Sequence, residues 1–340
     1  MTPREDDATA TPPHGDPLRP LVPGSDEPVR KEDGTRHGAD AHALPSRALD
    51  ARTSHAMPPI DRTPKLFIGG KQARPDSGYS IRIRGADGAW AGEVGEGNRK
   101  DVRNAVEAAH AGARAWARAT AHNRAQVLYY VAENLAARGD EFAARIASLT
   151  GGGLDAGRRE VDAAVARLFT YGAWADKYDG AVHAVPIRGV ALAMHEPVGV
   201  LGVVAPARFP LLGVVSLVAP AIAMGNAVVA VPSERAPLAA TDLYSVLETS
   251  DVPAGVVNIV TGAADALAKV LAEHDDVDGV WYFGSADGVR AVEHASASNM
   301  KRTWCEPGEA RDWLDARDGE GREFLRRATE VKNVWIPYGE

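Results

Sequence analysis

VGVLGVVAPARFPLLGVVSLVAPAIAMGNAVVAVP, residues 198–232, holds two β-branched apolar runs, VGVLGVVAP and NAVVAVP, around a helix-like segment at about 211–224. A strand with one solvated face alternates apolar and polar residues. A run that is apolar throughout is buried on both faces, as in a parallel sheet covered by helices. Three more runs follow, GVVNIVTG, VDGVWYFG and KRTWCEP, separated by helix-like segments at about 237–249, 263–273 and 286–297. Five strands with four crossovers predict an α/β fold built on a doubly wound parallel sheet. Ligands of such sheets sit beyond the carboxyl ends of the strands.

Toward the amino terminus the pattern changes. PKLFIGGKQ reads as a short strand closed by Gly69 and Gly70, and YSIRIRGADGAWAGEV alternates and turns at Asp87-Gly88 like a hairpin. RKDVRNAVEAAHAGARAWARA sets Val102, Val106, Ala109, Ala113 and Trp116 on one helical stripe, and the 3.6 period continues through residues 123–151 with Gly139 and Gly151 as stops. REVDAAVARLFTYGAWADKY reads as a further amphipathic helix, with Tyr129, Tyr130, Phe169 and Trp174 as packing residues. Residues 1–62 contain no Phe, Tyr or Trp, and half of the prolines fall before residue 65. Such a segment buries too little apolar surface to offset its ordering entropy, so it is expected to be a disordered tail.

Composition narrows the function classes. The 340 residues carry a formal net charge of -8 and no basic cluster on a helix face, which excludes nucleic acid and anionic membrane as natural partners. One cysteine and ten scattered histidines support neither a disulfide framework nor a metal site. The amino terminus lacks the apolar core of a signal peptide, and prolines 206, 210 and 220 interrupt the longest apolar stretch. A cytoplasmic protein is expected.

The candidate chemistry lies at the strand ends. YFGSADGV puts Gly284 and Ser285 between a strand and a helix, where backbone N–H groups face a phosphate. VVAVPSE puts Glu234 just past the second strand, where a carboxylate accepts from ribose hydroxyls and repels a 2′-phosphate, favouring NAD over NADP. The sole cysteine, Cys305, directly precedes Glu306. Neighbours on a strand point to opposite faces, so the two do not form a thiol-base pair from a regular strand, and Cys305 reads as a small buried hydrophobe. If Pro307 and Gly308 make CEPGE a loop instead, Cys305 remains the alternative nucleophile.

The order of these pieces resembles the coenzyme-binding half of the NAD(P)-dependent aldehyde dehydrogenase superfamily. The stretch from 199 to 240, then VPAGVVNIVTG, FGSADGV and KRTWCEPGEA, carry the resemblance, joined by KLFIGGK, DVRNAVEAAHAGARAWA and YGAWADKYDG before them and RRATEVKNVWIPYG after. It implies residues 63–180 as the amino-terminal strands and helices of the coenzyme-binding domain and 198–310 as a Rossmann-like NAD-binding core. Residues 181–197 plus 328–340 become strands of an oligomerisation flap. The resemblance puts Glu306 at the family's general base and Pro206, Glu234, Gly284 and Ser285 in the coenzyme site.

The chain also departs from the family. The Pro-Trp-Asn-Phe-Pro motif reads Pro206-Ala207-Arg208-Phe209-Pro210, replacing the asparagine that holds the developing oxyanion; loss of one such donor costs about a hundred- to a thousandfold in turnover. The Lys-Pro-Ser-Glu motif reads Val231-Pro232-Ser233-Glu234, keeping the acid and losing the lysine. Where the family has a whole catalytic domain with its nucleophilic cysteine, only RDWLDARDGEGREFLRR, residues 311–327, stands as a short connection. With no thiolate there is no thiohemiacetal to give up hydride, so Glu306 has nothing to activate. The resemblance therefore implies a non-catalytic subunit, similar to the truncated second domain of two-domain members, docking its flap on a full-length aldehyde dehydrogenase or on itself. An NAD-binding regulatory module, and an atypical dehydrogenase using Cys305, remain as alternatives.

Overall fold

The structure, a computed structural model, describes residues 64–186 and 188–338. The tail expected over residues 1–62 lies outside them.

Leu66–Ile68 (β1) and Lys71–Ala73 (β2) pair as a hairpin through Gly69-Gly70, and Ser80–Arg84 (β3) pairs with Trp90–Gly95 (β4) across the Asp87-Gly88 turn. Arg99–Arg118 (α1) starts with a capping box, in which the Asn98 side chain accepts from Lys100 and Asp101 N–H while Asp101 reaches back to the Asn98 N–H. Ala121–Ala137 (α2) and Gly139–Thr150 (α3) break at Arg138, and Gly151 closes α3 in the left-handed region at φ 73°. Gly153–Trp174 (α4) packs along α2 and α3. Tyr130 and Phe169, expected in the packing, are 43% and 40% exposed. Phe169 instead stacks on Tyr129 at 5.8 Å between centroids on the outer side of α2 and α4, where apolar periodicity alone does not separate core from flank.

Ala181–His183 (β5) and Gly189–Pro197 (β6) precede the alternating half. There Val200–Val204 (β7), Leu212–Ala223 (α5), Ala227–Val231 (β8), Leu238–Glu248 (α6), Val257–Ile259 (β9), Ala264–Glu273 (α7), Gly279–Gly284 (β10), Ala286–Ala295 (α8) and Arg302–Pro307 (β11) follow one another. Ala316–Gly319 (α9), Arg322–Arg327 (α10) and Thr329–Pro337 (β12) complete the described chain.

Among the described residues the strands form three sheets. The largest has the order β11-β10-β7-β8-β9-β1-β2, in which β11 to β9 are parallel and the β1-β2 hairpin adds an antiparallel edge. The expected α/β parallel sheet is borne out. The chain lays down β7, β8 and β9 in one direction and then returns to the far side of β7 with β10 and β11. The strand order thus reverses between β7 and β10, opening a crevice at their carboxyl ends.

Both faces are buried, which is why the strands read as continuous apolar runs. Leu201, Val203, Trp281 and Phe283 face α2, α4 and α5, while Val200, Val204, Val280 and Tyr282 face α1, α7 and α8. All twelve residues of α5 are buried, as fits a helix apolar on every side. In a separate antiparallel sheet β12 pairs with β6 over nine residues, from Thr329 opposite Pro197 to Pro337 opposite Gly189, and β5 lies on the other side of β6.

Candidate active site

A cleft of about 670 Å³ lies at the carboxyl ends of β7, β8 and β10, at the reversal of strand order. Glu234, Gly284 and Ser285 all line it, together with Arg208, Arg235 and Asp265. The other proposed coenzyme residue, Pro206, does not. It is buried behind the wall, where it packs against Gly213 in the first turn of α5 and against Gly308. A Cβ on Gly213 would lie 2.7 Å from the Pro206 ring, so glycine is what lets loop and helix close up.

The amino end of α8 offers fewer donors than its position implies. Ser285 caps the helix, its Oγ accepting from the Gly288 N–H at 2.9 Å, and the Ser285 N–H donates to the Tyr282 hydroxyl at 3.0 Å. The Tyr282 hydroxyl in turn donates to Asp265, and burial pushes the phenol up from its ordinary pKa. A Cβ on Gly284 or Gly288 would collide with this phenol. Val289 N–H is taken by the Ser285 carbonyl, which leaves the N–H groups of Ala286 and Asp287 as the open donors of that turn. Glu234 also has a partner: Oε2 accepts from the Ala264 N–H, the first residue of α7, at 3.0 Å.

Cys305 and Glu306 stand on opposite faces of β11. Cys305 is partly buried against the cluster that includes Tyr282 and Val292, and burial pushes its thiol up to about 12. Such a thiol carries almost no thiolate near neutrality. Glu306 lies on the other face, held from two sides. Trp304 Nε1 donates to Oε1 at 2.7 Å, and Arg311 Nη2 donates to Oε1 and Oε2 at 3.0 and 2.9 Å.

Arg311 belongs to residues 311–327, read from the sequence as a plain connection. The structure gives this segment two short helices and a core of its own: Trp313, Phe324 and Leu325 are at most 1% exposed. Trp304 sits edge-on to Phe283, Trp281 and Phe324 at 5.0, 5.2 and 5.1 Å, and Phe283 meets Trp313 at 5.1 Å. The Arg311 guanidinium lies 5.3 Å over the Trp304 ring and 5.5 Å over Phe324. From below, Arg167 of α4, 2% exposed, donates to the Trp313 carbonyl and to Ser216 Oγ, with Glu320 at 3.7 Å.

Sequence reasoning missed Arg167 and Glu160, whose places on α4 look like those of any amphipathic helix. Glu160 is 4% exposed and accepts from the Leu211 and Leu212 N–H groups at 2.9 and 3.1 Å, capping α5 and anchoring the end of loop 206–210. Burial raises its pKa to about 6. Tyr282 and Asp265 were missed as well, because their meeting joins β10 to α7. The one signal for residues 311–327 was their two aromatic residues within a charged run. Among the described residues no cluster of three or more His, Cys, Asp or Glu could hold a metal ion, and no helix is long and apolar enough to cross a membrane.

The profile of the aldehyde dehydrogenase family matches residues 76–312. The mitochondrial aldehyde dehydrogenase of Rattus norvegicus is 32% identical over 277 residues, covering 77% of this chain and 53% of the relative. The hydroxyisobutyraldehyde dehydrogenase of Mycolicibacterium austroafricanum is 33% identical, covering 77% and 51%. The chain thus spans about half the length of these curated relatives. Among solved structures, a putative aldehyde dehydrogenase from Burkholderia cenocepacia superposes with a TM-score of 0.70 at 30% identity, over 72% of this chain and 50% of that one. PnpE in complex with nicotinamide adenine dinucleotide gives a TM-score of 0.70 at 30% identity, over 72% and 51%. With the profile spanning most of the chain and the parallel sheet superposing, the chain belongs to the aldehyde dehydrogenase family.

Proposed function

We propose that this chain is a non-catalytic member of its family, a pseudoenzyme that keeps a nicotinamide-dinucleotide cleft and acts as a partner subunit. The observation that carries this reading is the Arg311–Glu306 pair, with residues 311–327 packed over β10 and β11. In a dehydrogenase of this family Glu306 would stand as a general base. Here both its oxygens are committed to Arg311 and Trp304, and the chain passes directly from this segment into β12. The thiol nearest to it in sequence faces away and stays protonated, which argues against the Cys305 alternative.

The cleft's size and place support uptake of NAD or NADP, since the adenosine end would meet residues 233–235 and the pyrophosphate the open N–H groups of Ala286 and Asp287. A bound nicotinamide would supply a hydride acceptor; this chain offers no thiolate to form the aldehyde adduct from which hydride would leave. The partner role draws on β12, an edge strand nine residues long, and on the exposure of Val182, Met194, Trp335 and Ile336. A long apolar edge is an aggregation hazard unless another chain covers it. A full-length aldehyde dehydrogenase subunit is the proposed cover, and the cytoplasm the proposed compartment.

The test is to incubate the purified chain with NAD, NADP and a panel of aldehydes, and then to mix it with a full-length aldehyde dehydrogenase from the same cells. No coenzyme reduction by the chain alone, and co-elution in a fixed ratio, are expected. Reduction by the pure chain sinks the non-catalytic reading, and separate elution sinks the partner role.

A further inference from the structure

Residues 233–235 leave the end of β8 as a turn fixed by one buried contact. Ser233, 1% exposed, donates from Oγ to the Ala207 carbonyl at 2.9 Å and so ties this turn to loop 206–210 across the cleft. Glu234 then turns its carboxylate onto the head of α7. That helix runs for ten residues, so its amino end carries a partial positive charge that offsets part of the charge on Glu234. The next residue, Arg235, is exposed, lines the cleft, and has neither a hydrogen bond nor an ion pair among the described residues.

Arg208, on the tied loop, lines the same cleft, its guanidinium 5.4 Å from the centroid of the Phe209 ring and without an acidic partner among the described residues. Phe209 itself holds a φ of 56°, an uncommon and costly conformation for a bulky residue that tends to occur where a loop is held for a ligand. Of the other acids in the cleft, Asp265 is engaged by Tyr282, and Glu309 follows β11 in sequence.

A carboxylate beside an adenosine ribose accepts from its hydroxyls and repels a 2′-phosphate; an arginine there reverses the preference. We propose that the ligand of this cleft is a 2′-phosphorylated adenine dinucleotide, its 2′-phosphate held by the Arg235 guanidinium, a proposal that rests on the coenzyme reading of the cleft given above. A planar guanidinium meets a phosphate with two parallel hydrogen bonds, where a lysine offers a point charge. The lysine that the family carries at Val231 is therefore replaced in function four residues on. Arg208 adds a second positive charge to the same cleft, which favours the more highly charged coenzyme at a distance. The NAD preference expected from Glu234 is thereby reversed.

Calorimetric titration of the full chain with NADP+, NAD+ and 2′,5′-ADP tests this. NADP+ is expected to bind at least about tenfold more tightly than NAD+, as one charge-assisted contact provides. Arg235→Ala should abolish that difference by weakening NADP+ far more than NAD+, and Arg235→Lys should restore part of it. Arg235 is exposed, so both variants should fold, which their unfolding temperatures check. Equal affinity for the two coenzymes, or equal weakening of both in Arg235→Ala, overturns the proposal and leaves the coenzyme cleft standing. No binding of any of the three ligands at millimolar concentration overturns the coenzyme reading and the proposal together.

Discussion

Cys305 and Glu306 show how one peptide bond separates two chemistries. Strand geometry sends the thiol into an apolar flank and the carboxylate toward Arg311. Raising the thiol from its ordinary 9 to about 12 lowers its thiolate fraction roughly a thousandfold. Iodoacetamide at neutral pH should therefore label native chain very slowly and denatured chain at the ordinary rate, as a mass-spectrometric time course would read; rapid native labelling refutes the buried assignment. Glu160 titrates within the accessible range. Its carboxyl, near 4.5 when unfolded, is held at about 6 by burial, so folding favours its protonated form. The stability this group contributes is fully present below about pH 4.5 and is lost as pH rises through 6, a loss of about 2 kcal/mol. Glu160→Gln keeps an acceptor for Leu211 and Leu212 and removes the titration. The gap in unfolding free energy between variant and parent should widen by about 1 kcal/mol between pH 5 and 8 in denaturant melts; a constant gap contradicts the buried-acid account. Cys305's orientation was legible from strand periodicity. Glu160 was not, because its partners are main-chain groups 51 and 52 residues away.

At the scale of elements, residues 311–327 matter most. Two short helices with little stability of their own stay in place because Phe324, Trp313 and Leu325 fill the space over β10 and β11, and because the buried Arg167 ties them to α4. Phe324→Ala should cost about 3–5 kcal/mol, as for a large aromatic removed from a closed core. Guanidinium melts read by tryptophan fluorescence measure it, and a cost below about 1 kcal/mol would mean that the segment is not a packed closure. The sheet elements were easy to read because burial on both faces leaves a run of apolar residues in one strand. The closure was not, since its apolar residues are few and its partners lie on β10, β11 and α4. The strands of the separate sheet were legible only through the resemblance: β12 carries Glu330, Lys332 and Asn333 among its apolar residues and follows no clean period.

In the whole molecule, a cleft at the reversal of strand order and a long open sheet edge coexist with a Glu306 carboxylate engaged by Arg311 and Trp304. Trp335 is 57% exposed on β12 and lies opposite Ala191 of β6. Trp335→Glu should leave the unfolding temperature nearly unchanged and abolish co-elution with a full-length dehydrogenase or with further copies of the chain, as light scattering on a sizing column would show. Unaltered association would remove β12 from the interface. The doubly wound sheet could be read from the chain alone, because its strands are local apolar runs and its crossovers follow in order. Glu306 was singled out through the family resemblance carried by KRTWCEPGEA, a stretch of adjacent residues. Folding was needed to show that Arg311 closes on Glu306, that Tyr282 covers the head of α8, and that Glu234 turns to α7 while Arg235 has no partner among the described residues. Each of those outcomes is a competition among polar groups for partners on other elements, and pairing of that kind is set by distance in space, which periodicity along the chain does not encode.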